Sequence, residues 1–190
     1  MSPALLASVE QMQHSAPLDT PSILLQAVII PGEKTSEGQL IESVASIWFD
    51  IIERIQRAPD EIYEIDWRKW EEIIAGAYRL QGFDVVLTPP SNDKGRDIIA
   101  TRTDIGSVCF FDQVKAYSPG HVVTLEEVSA MLGTLDRYPN TSKGLVTTTS
   151  SFAPGVMKDP HLARFIPNRL ELKWREPLLE WLVKIAAKER

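Results

Sequence analysis

Residues 96–115 read RDIIATRTDIGSVCFFDQVK, in which two apolar stretches are separated by a polar turn. We predict that Arg96–Thr101 and Val108–Lys115 are the two strands of a hairpin. Side chains alternate faces along a strand, so Gln113 and Lys115 project from the same side. The pattern therefore predicts two polar side chains on one face of an otherwise apolar sheet.

The predicted hairpin brings a third polar residue, Asp97, beside Gln113 and Lys115. Covering such groups removes their water, and that loss is offset only if something else coordinates them. A divalent cation and a phosphate fit, because Asp97 offers an anionic oxygen, Gln113 a neutral oxygen and Val114 a backbone carbonyl. Lys115 would position and activate a water and meet the charge that develops on phosphorus. The residues indicate hydrolysis of a phosphodiester bond.

Ordered motifs around this stretch resemble a known family. Asp97 followed by Gln113-Val114-Lys115 is similar to the D-(E/Q)xK signature of the PD-(D/E)xK nuclease superfamily. Further blocks narrow the resemblance to the catalytic domain of Mrr-type restriction endonucleases, over roughly residues 66 to 182: Trp70-Glu71, Gly82–Val85, Ser91–Ala100 and Lys143–Phe152. The chain departs from many relatives by having Gln113 in place of Glu, which removes one anionic ligand.

The resemblance implies a metal-dependent DNA endonuclease in restriction or antiphage defence, using Mg²⁺ with Mn²⁺ as a substitute. The expected fold is α/β, a restriction-endonuclease-like core in which a mixed four- or five-stranded sheet is flanked by helices in the order α-β-β-β-α-β. The implied catalytic residues are Glu71, Asp97, Gln113 and Lys115, and the implied metal ligands are Asp97, Gln113, Val114 and Glu71. Two-strand cleavage needs two sites, so a dimer or tetramer is expected, and a partner protein could supply target recognition.

Two neighbouring acids compete for the family's helical carboxylate. Glu71 lies four residues after Trp67 and three before Ile74, at the margin of an apolar stripe on a helix that we expect to begin after Asp66. Glu72 has the spacing of a solvent-facing ion pair with Arg68. The spacing and the family match both favour Glu71, while an exposed helix acid is the alternative.

Candidate nucleic-acid contacts lie in the turns and strand ends around the predicted site: Lys94, Arg96, Tyr117, His121, Lys143, Thr148, Thr149 and Ser150. Several have ordinary alternatives. Arg96 could pair with a surface carboxylate, His121 could be a plain loop histidine, and the hydroxyls of residues 148–150 could cap a following helix. Asp93 fits turn chemistry, with a second metal ligand as the alternative.

The charge of the chain is unevenly distributed. Its formal net charge is -6, but residues 1–72 hold 5 basic and 13 acidic side chains whereas residues 73–190 hold 15 and 13. The predicted catalytic part is therefore mildly basic, as a nucleic-acid partner permits. No apolar run is long enough to span a bilayer, so we expect a cytoplasmic protein. A single cysteine and three histidines predict neither an internal disulfide nor a zinc cluster.

We divide the chain into an N-terminal extension, residues 1–60, and a nuclease domain, residues 61–190. In the extension we expect a mobile start, a short strand over Ser22–Pro31 and an amphipathic helix whose apolar positions run from Leu40 to Ile55. In the nuclease domain, Thr124 and Glu127 form a capping-box pattern for a helix that precedes the strand Lys143–Thr149. A helical crossover makes that strand parallel to the Gln113 strand.

Two other functions remain open. The chain could be a non-catalytic nucleic-acid-binding or assembly subunit that retains a degenerate nuclease fold, with Gln113 marking a loss of metal affinity. It could also be an RNA-directed nuclease, because phosphodiester chemistry alone does not choose the sugar. A nucleotide-binding α/β protein is disfavoured because no glycine-rich phosphate loop joins a strand to a helix.

Overall fold

Strands and helices alternate along the part of the chain that the computed structural model describes, which is residues 26–90, 94–104 and 106–189. The strands are β1 Ile29–Lys34, β2 Gln39–Val44, β3 Asp84–Leu87, β4 Ile98–Arg102, β5 Val108–Lys115, β6 Val122–Val123, β7 Lys143–Thr148, β8 Ser151–Phe152 and β9 Leu170–Lys173. The α-helices are α1 Ile47–Arg57, α2 Trp67–Leu80, α3 Leu125–Arg137, α4 Pro160–Ala163 and α5 Arg175–Glu189, with short 3-10 turns at Pro59–Glu64 and Val156–Lys158.

The main sheet has the order β1-β2-β3-β4-β5-β7-β9 in the described residues, while β6 and β8 form a separate pair. Neighbours from β1 to β5 are antiparallel, and β5, β7 and β9 are parallel to one another. The predicted mixed sheet, the β4–β5 hairpin and the parallel β5–β7 pair are confirmed. The five strands from residue 84 onward make the predicted core, and β1 and β2 extend it to seven.

The start of the described chain differs from the sequence prediction. Residues 22–25 of the predicted strand lie outside the described residues, and the strand itself is Ile29–Lys34, which continues through Pro31. Proline is tolerated there because β1 is an edge strand. The predicted helix from Leu40 is also wrong in its first part, because Gln39–Val44 is a strand and the helix begins at Ile47.

The N-terminal strands share the sheet of the rest of the molecule. Strand β2 pairs with β3 through Gln39↔Leu87, and α1 contributes to the same hydrophobic core as α2 and α5. The division at residue 60 stays a prediction, and the expected mobile start of the chain lies outside the described residues. No helix in the described part of the chain is long and apolar enough to cross a membrane.

Two apolar cores lie on opposite faces of the sheet, as the alternation along β5 shows. Phe110 packs against the core that α1, α2 and α5 cover, whereas the next residue, Phe111, belongs to the core beneath α3. In the first core the indole of Trp48 donates to the carbonyl of Ile73 at 2.9 Å, so α1 is fixed against α2. Gln113 and Lys115 share the face of Phe111, which directs them toward the side of the sheet that α3 covers.

The two helix starts for which the sequence predicts a cap are confirmed. The Asp66 side chain accepts a hydrogen bond from the backbone N–H of Lys69 at 2.9 Å, which caps α2. Thr124 and Glu127 form a complete capping box at the start of α3. These caps fix where each helix begins relative to the adjacent strand end, and both helices contribute residues near the predicted site.

Candidate active site

A cleft of about 160 Å³ lies where α2 meets the ends of three strands. Its walls come from the first two turns of α2, the segment after β3, the residue before β4 and the end of β5. The lining residues are Trp67, Arg68, Glu71, Thr88, Pro89, Pro90, Asp97, Gln113, Val114 and Lys115. All four predicted catalytic residues, together with the predicted carbonyl ligand, therefore line one cleft.

The β4–β5 hairpin fixes Asp97 beside the Gln113-Val114-Lys115 segment. The backbone N–H of Asp97 donates to the carbonyl of Asp112 at 2.9 Å, and the N–H of Val114 donates to Asp97 Oδ2 at 2.7 Å. Thr88 adds a further restraint, because its N–H donates to the Asp97 carbonyl at 2.9 Å. The Val114 N–H therefore holds the Asp97 carboxylate, which is 7% exposed, and Thr88 holds its backbone.

The helical carboxylate in the cleft is Glu71, which is 4% exposed. Arg68 Nη1 lies 2.5 Å from Glu71 Oε2 and donates to the carbonyl of Thr88 at 3.0 Å, so this guanidinium joins α2 to the end of β3. Glu72 instead pairs with Lys69 Nζ at 2.7 Å and does not line the cleft. The structure thus separates the two acids as their spacing predicts, although the partner of Glu72 is Lys69 rather than Arg68.

The donors in the cleft match a hard divalent cation in type. Two carboxylates with little exposure, Glu71 and Asp97, line it beside the Gln113 side chain, and oxygen donors of this kind are those that Mg²⁺ prefers. Carboxylates that are this dehydrated need compensating positive charge. Within residues 26–90, 94–104 and 106–189, no group of three or more His, Cys, Asp or Glu side chains is arranged to hold a metal. Gln113, which the sequence predicts as a further ligand, is not an anion.

Lys115 approaches α3 from the end of β5. Its Nζ lies 3.8 Å from Glu127 Oε1, and the hydroxyl of Tyr117 donates to the same carboxylate oxygen. Burial alone would raise the pKa of Glu127, but hydrogen bonds from Thr124 and Tyr117 and the charge of Lys115 lower it below its usual value. Burial and the Glu127 carboxylate raise the pKa of Tyr117 to about 12, so its hydroxyl stays a neutral donor.

Arg96 does not lie on a nucleic-acid-facing surface. It is 1% exposed, and its guanidinium carbon lies 4.6 Å from the ring centroid of Phe111 and 4.0 Å from that of Tyr138. Its Nη2 pairs with Glu37, a half-exposed residue in the turn between β1 and β2. The predicted DNA contact is therefore wrong, and the carboxylate alternative is the one observed. The apolar part of an arginine side chain packs well on aromatic rings. The sequence alone did not show that Phe111 and Tyr138 would lie next to Arg96.

The hydroxyl residues at the end of β7 bind the neighbouring loop. Thr148 Oγ1 donates to the Lys115 carbonyl at 2.7 Å and Thr149 Oγ1 to the Tyr117 carbonyl at 3.1 Å, while Ser150 Oγ donates to the His121 carbonyl. Thr148 is 0% and Thr149 2% exposed, so neither is available to a phosphate from solvent. Their observed role is to hold the loop after Lys115, and the helix-cap alternative is not what these hydroxyls do.

Lys143 and Lys115 lie at opposite ends of the paired strands β5 and β7. Lys143 pairs in register with Phe110, whereas Lys115 pairs with Thr148, a separation of five residues along the strands or about 16 Å. Its Nζ lies 2.9 Å from Glu171 Oε2. A phosphate in the cleft would therefore be out of reach of Lys143.

The remaining candidates lie in turns. Lys94 is exposed and has a φ of 52°. The ring centroids of Tyr117 and His121 lie 4.2 Å apart in the loop that follows Lys115. Asp93, for which turn chemistry and metal binding were both open, lies outside the described residues.

Sequence reasoning missed five residues that line the cleft, of which Thr88, Pro89 and Pro90 follow β3 and two lie on α2. Trp67, expected in the buried stripe of α2, is 52% exposed, because the stripe begins one turn later at Trp70, which is 0% exposed. Arg68 also lines the cleft and binds Glu71 there. One signal was available in the sequence. Trp67 and Arg68 lie in the first helical turn, immediately after the Asp66 cap, where side chains could face the strand ends.

Sequence reasoning also missed Asp112, a buried carboxylate on the face of β5 that packs against α2. It is 1% exposed and accepts hydrogen bonds from the Tyr78 hydroxyl at 2.9 Å and the Thr147 hydroxyl at 3.0 Å. Its Oδ1 has no hydrogen-bond partner in the described structure. Burial raises the pKa of Asp112 to about 6, against the lowering effect of Lys173. The signal was an acid on the apolar face of β5, between Phe110 and Val114.

Comparison with known proteins gives one family match and one curated relative. Residues 62–182 match the family model Mrr_cat, described as restriction endonuclease. The uncharacterized protein y4cE of Sinorhizobium fredii is 32% identical over 79 residues, which are 41% of this chain and 20% of that protein.

Solved structures give more distant matches. The MspJI restriction endonuclease in complex with a 27-mer oligonucleotide is 15% identical with a TM-score of 0.43, over 93% of this chain and 39% of that one. The DNA modification-dependent restriction endonuclease AspBHI is 15% identical with a TM-score of 0.46, over 99% of this chain and 49% of that one. The chain spans less than half the length of each of these relatives.

Proposed function

The chain belongs to the restriction endonuclease family whose model spans residues 62–182, and from this premise we propose that it is an Mg²⁺-dependent endonuclease that hydrolyses phosphodiester bonds in DNA. The observation that carries the proposal is the convergence of Glu71, Asp97, Gln113 and Lys115 on one cleft. These residues are spread over more than 40 positions of the sequence. A fold that kept them together only for stability would be burying charged groups at a cost.

Each side chain has a distinct part in the proposed reaction. Asp97, Gln113 and the Val114 carbonyl would hold Mg²⁺, with Glu71 as a further ligand. When bound, Mg²⁺ would neutralise phosphate charge and lower the pKa of a coordinated water. The Lys115 ammonium orients the attacking water and faces the negative charge that builds on the phosphate oxygens in the transition state. Arg68 balances the charge of Glu71 and ties it to the end of β3.

Biological context extends the same proposal. DNA is favoured as substrate by the family, and we propose a role in restriction or antiphage defence in the cytoplasm. Cleavage of both strands requires two active sites, so a dimer or tetramer is expected. Target recognition would come from elsewhere in the assembly or from a partner protein, because among the described residues the cleft wall contains only two cations, Arg68 and Lys115.

The deciding experiment is cleavage of supercoiled plasmid by the purified protein with Mg²⁺, with Mn²⁺ and with EDTA, on methylated and unmethylated DNA. We expect metal-dependent nicking or linearisation that falls at least about 100-fold in Lys115→Ala, since a preorganised cation at the developing charge is worth that much. Lys143→Ala is the matched control, because it removes a lysine from the opposite end of the sheet and should cut normally. Equal cleavage by Lys115→Ala and the wild type would show that the assignment is wrong.

Gln113 favours a second candidate, a subunit that binds nucleic acid without cutting it. Replacing a carboxylate by an amide reduces the charge available to a divalent cation. This candidate predicts no cleavage with any metal, together with DNA binding that is unchanged in Lys115→Ala. The same assays on a labelled RNA would detect an RNA-directed nuclease.

A further inference from the structure

The two carboxylate oxygens of Glu127 serve different parts of the molecule. Oε2 accepts from the backbone N–H of Thr124 at 2.9 Å and from its hydroxyl at 3.0 Å, which is the capping box of α3. Oε1 faces the end of β5, where it accepts from the Tyr117 hydroxyl and lies 3.8 Å from Lys115 Nζ. One side chain therefore joins a helix start to the lysine of the cleft.

The cap by itself does not require a negative charge at this position. Glutamine serves as well as glutamate in a capping box, because only a side-chain oxygen is needed to accept from the backbone N–H of the N-cap residue, here Thr124. The second oxygen of Glu127 is thus surplus to the cap. Its surroundings are a cationic amine and a neutral phenol, which together are suited to a carboxylate.

A fixed partner matters for Lys115 because the proposed reaction needs its charge at one position. A lysine side chain is flexible along four carbons and presents a point charge, so it does not hold a position without contacts. The Lys115 side chain is 23% exposed and the Glu127 side chain 25%, and salt screens a partly covered pair less than an exposed one. Lys115 forms an ion pair with Glu127.

The Tyr117 hydroxyl restrains the carboxylate from a second direction. Tyr117 follows Lys115 by two residues, and its backbone is held by Thr149, whose hydroxyl accepts from the Tyr117 N–H at 2.9 Å and donates to the Tyr117 carbonyl at 3.1 Å. These two bonds therefore fix the backbone from which the Tyr117 ring projects. A carboxylate fixed by both the helix cap and this phenol offers Lys115 a stationary anion.

We propose that Glu127 is a positioning residue that holds the Lys115 ammonium at the cleft through Oε1, while its Oε2 caps α3. This inference rests on the proposed nuclease function, and it adds a residue outside the family's signature motif to the same site. Because it acts through Lys115, the loss of its charge should slow the chemical step and leave DNA binding nearly unchanged.

Two substitutions separate the positioning role from the cap. Glu127→Gln retains the cap and removes the charge, so we expect kcat for plasmid cleavage to fall about tenfold with KM within about twofold, and an unchanged Tm. Thr124→Ala removes the hydroxyl that caps the backbone N–H of Glu127, but it leaves the charge and the bond from the backbone N–H of residue 124 to Oε2. Tm should therefore fall by about 2–4 °C while kcat stays within about twofold. Tyr117→Phe, which removes one restraint on the carboxylate, should give a smaller loss of kcat than Glu127→Gln.

A readout that does not depend on cleavage is the rate at which an amine-acetylating reagent labels Lys115, measured by mass spectrometry. We expect labelling to be about threefold faster in Glu127→Gln than in the wild type or Thr124→Ala, because the amine is no longer held. Wild-type rates of labelling and cleavage in Glu127→Gln would overturn the proposal and leave Glu127 as a helix cap only. If the wild type does not cut but the labelling difference persists, the nuclease function fails while the hold of Glu127 on Lys115 stands.

Discussion

Asp97 and Asp112 are separated by one backbone hydrogen bond, yet their surroundings are opposite. The N–H of Asp97 donates to the carbonyl of Asp112, but the Asp97 side chain lines the cleft whereas the Asp112 side chain is sealed beneath α2. Around Asp97 the neighbours are another acid, an amide and a lysine. Around Asp112 they are the hydroxyls of Tyr78 and Thr147, with the charges of Lys173 and Glu171 acting from farther away.

The difference shows what separates a reactive carboxylate from a structural one. An acid that shares an accessible cleft with other ligands can exchange its water for a cation and a substrate. An acid that is closed off from solvent cannot, and its burial raises its pKa instead. Depth of burial alone does not distinguish them, since Asp97 is 7% and Asp112 1% exposed.

The largest expected effect tests this division directly. In Asp97→Asn the amide oxygen can still accept from the Val114 N–H, so the fold should persist, but plasmid cleavage should fall about 1000-fold as a charged ligand is lost. Asp112→Asn should cut within about threefold of the wild type. Initial cleavage rates and thermal melts of the two variants check the comparison. Loss of cleavage in both would mean that Asp112 also takes part in the reaction.

The next effect is the pH dependence of stability. Because the folded pKa of Asp112 is about 6, above its ordinary 3.8, the native state holds the proton more tightly than the unfolded chain between these values. The free energy of unfolding should therefore fall by about 3 kcal/mol, as an order of magnitude, as the pH rises from about 4 through 6. Urea denaturation from pH 4 to 7.5 measures this. Asp112→Asn should lack that component, while Asp84→Asn, an exposed control, should keep it.

A smaller change in stability is expected when Asp112 loses the hydrogen bond from Tyr78. Tyr78→Phe removes one of the two hydroxyl donors to Asp112 and should lower the free energy of unfolding at pH 7.5 by about 2 kcal/mol, the size expected for a hydrogen bond to a charged group. The loss should shrink at pH 5, where Asp112 is protonated more often. Denaturation of the variant at both pH values tests this, with Tyr63→Phe as a comparison. If Tyr78→Phe lowers the free energy of unfolding equally at pH 5 and pH 7.5, the acceptor, Asp112, is not charged at the higher pH.

The smallest effect concerns the cleft. Gln113→Glu introduces the acid that the D-(E/Q)xK signature allows there, and one more anionic ligand should lower the Mg²⁺ concentration for half-maximal cleavage by about tenfold, or roughly 1.4 kcal/mol. A titration of the cleavage rate with Mg²⁺ measures it. Gln56→Glu adds the same charge on α1, away from the cleft, and should change nothing. An unaltered titration in Gln113→Glu would remove Gln113 from the proposed ligands.

Local patterns carried most of the correct predictions. The β4–β5 hairpin and the Thr124–Glu127 cap were predictable because each depends on residues close together in the chain, where alternation and capping chemistry act directly. The position of Glu71 in the cleft followed from its place beside the apolar stripe of α2. In these cases the tertiary structure agrees with the local preference.

The errors arose where distant contacts decided the outcome. Leu40 and Ile41 fit helical spacing, but strand β2 forms because it pairs with β1 on one side and with β3, more than 40 residues away, on the other. Arg96 was expected to contact DNA or a surface carboxylate because it faces away from Asp97 on the predicted strand. Its burial depends on the rings of Phe111 and Tyr138, which only the folded sheet and α3 bring together.

The ion pair between Arg96 and Glu37 has a practical consequence for dividing the gene. The family match begins at residue 62, yet a fragment starting there would lack Glu37, which pairs with a guanidinium that is almost fully buried next to Asp97. It would also uncover the edge of β3 that β2 now occupies. Such a fragment should unfold at a lower denaturant concentration and self-associate through the bare edge. A gene fragment intended to encode a stable catalytic unit would therefore have to begin upstream of the codon for Ile29.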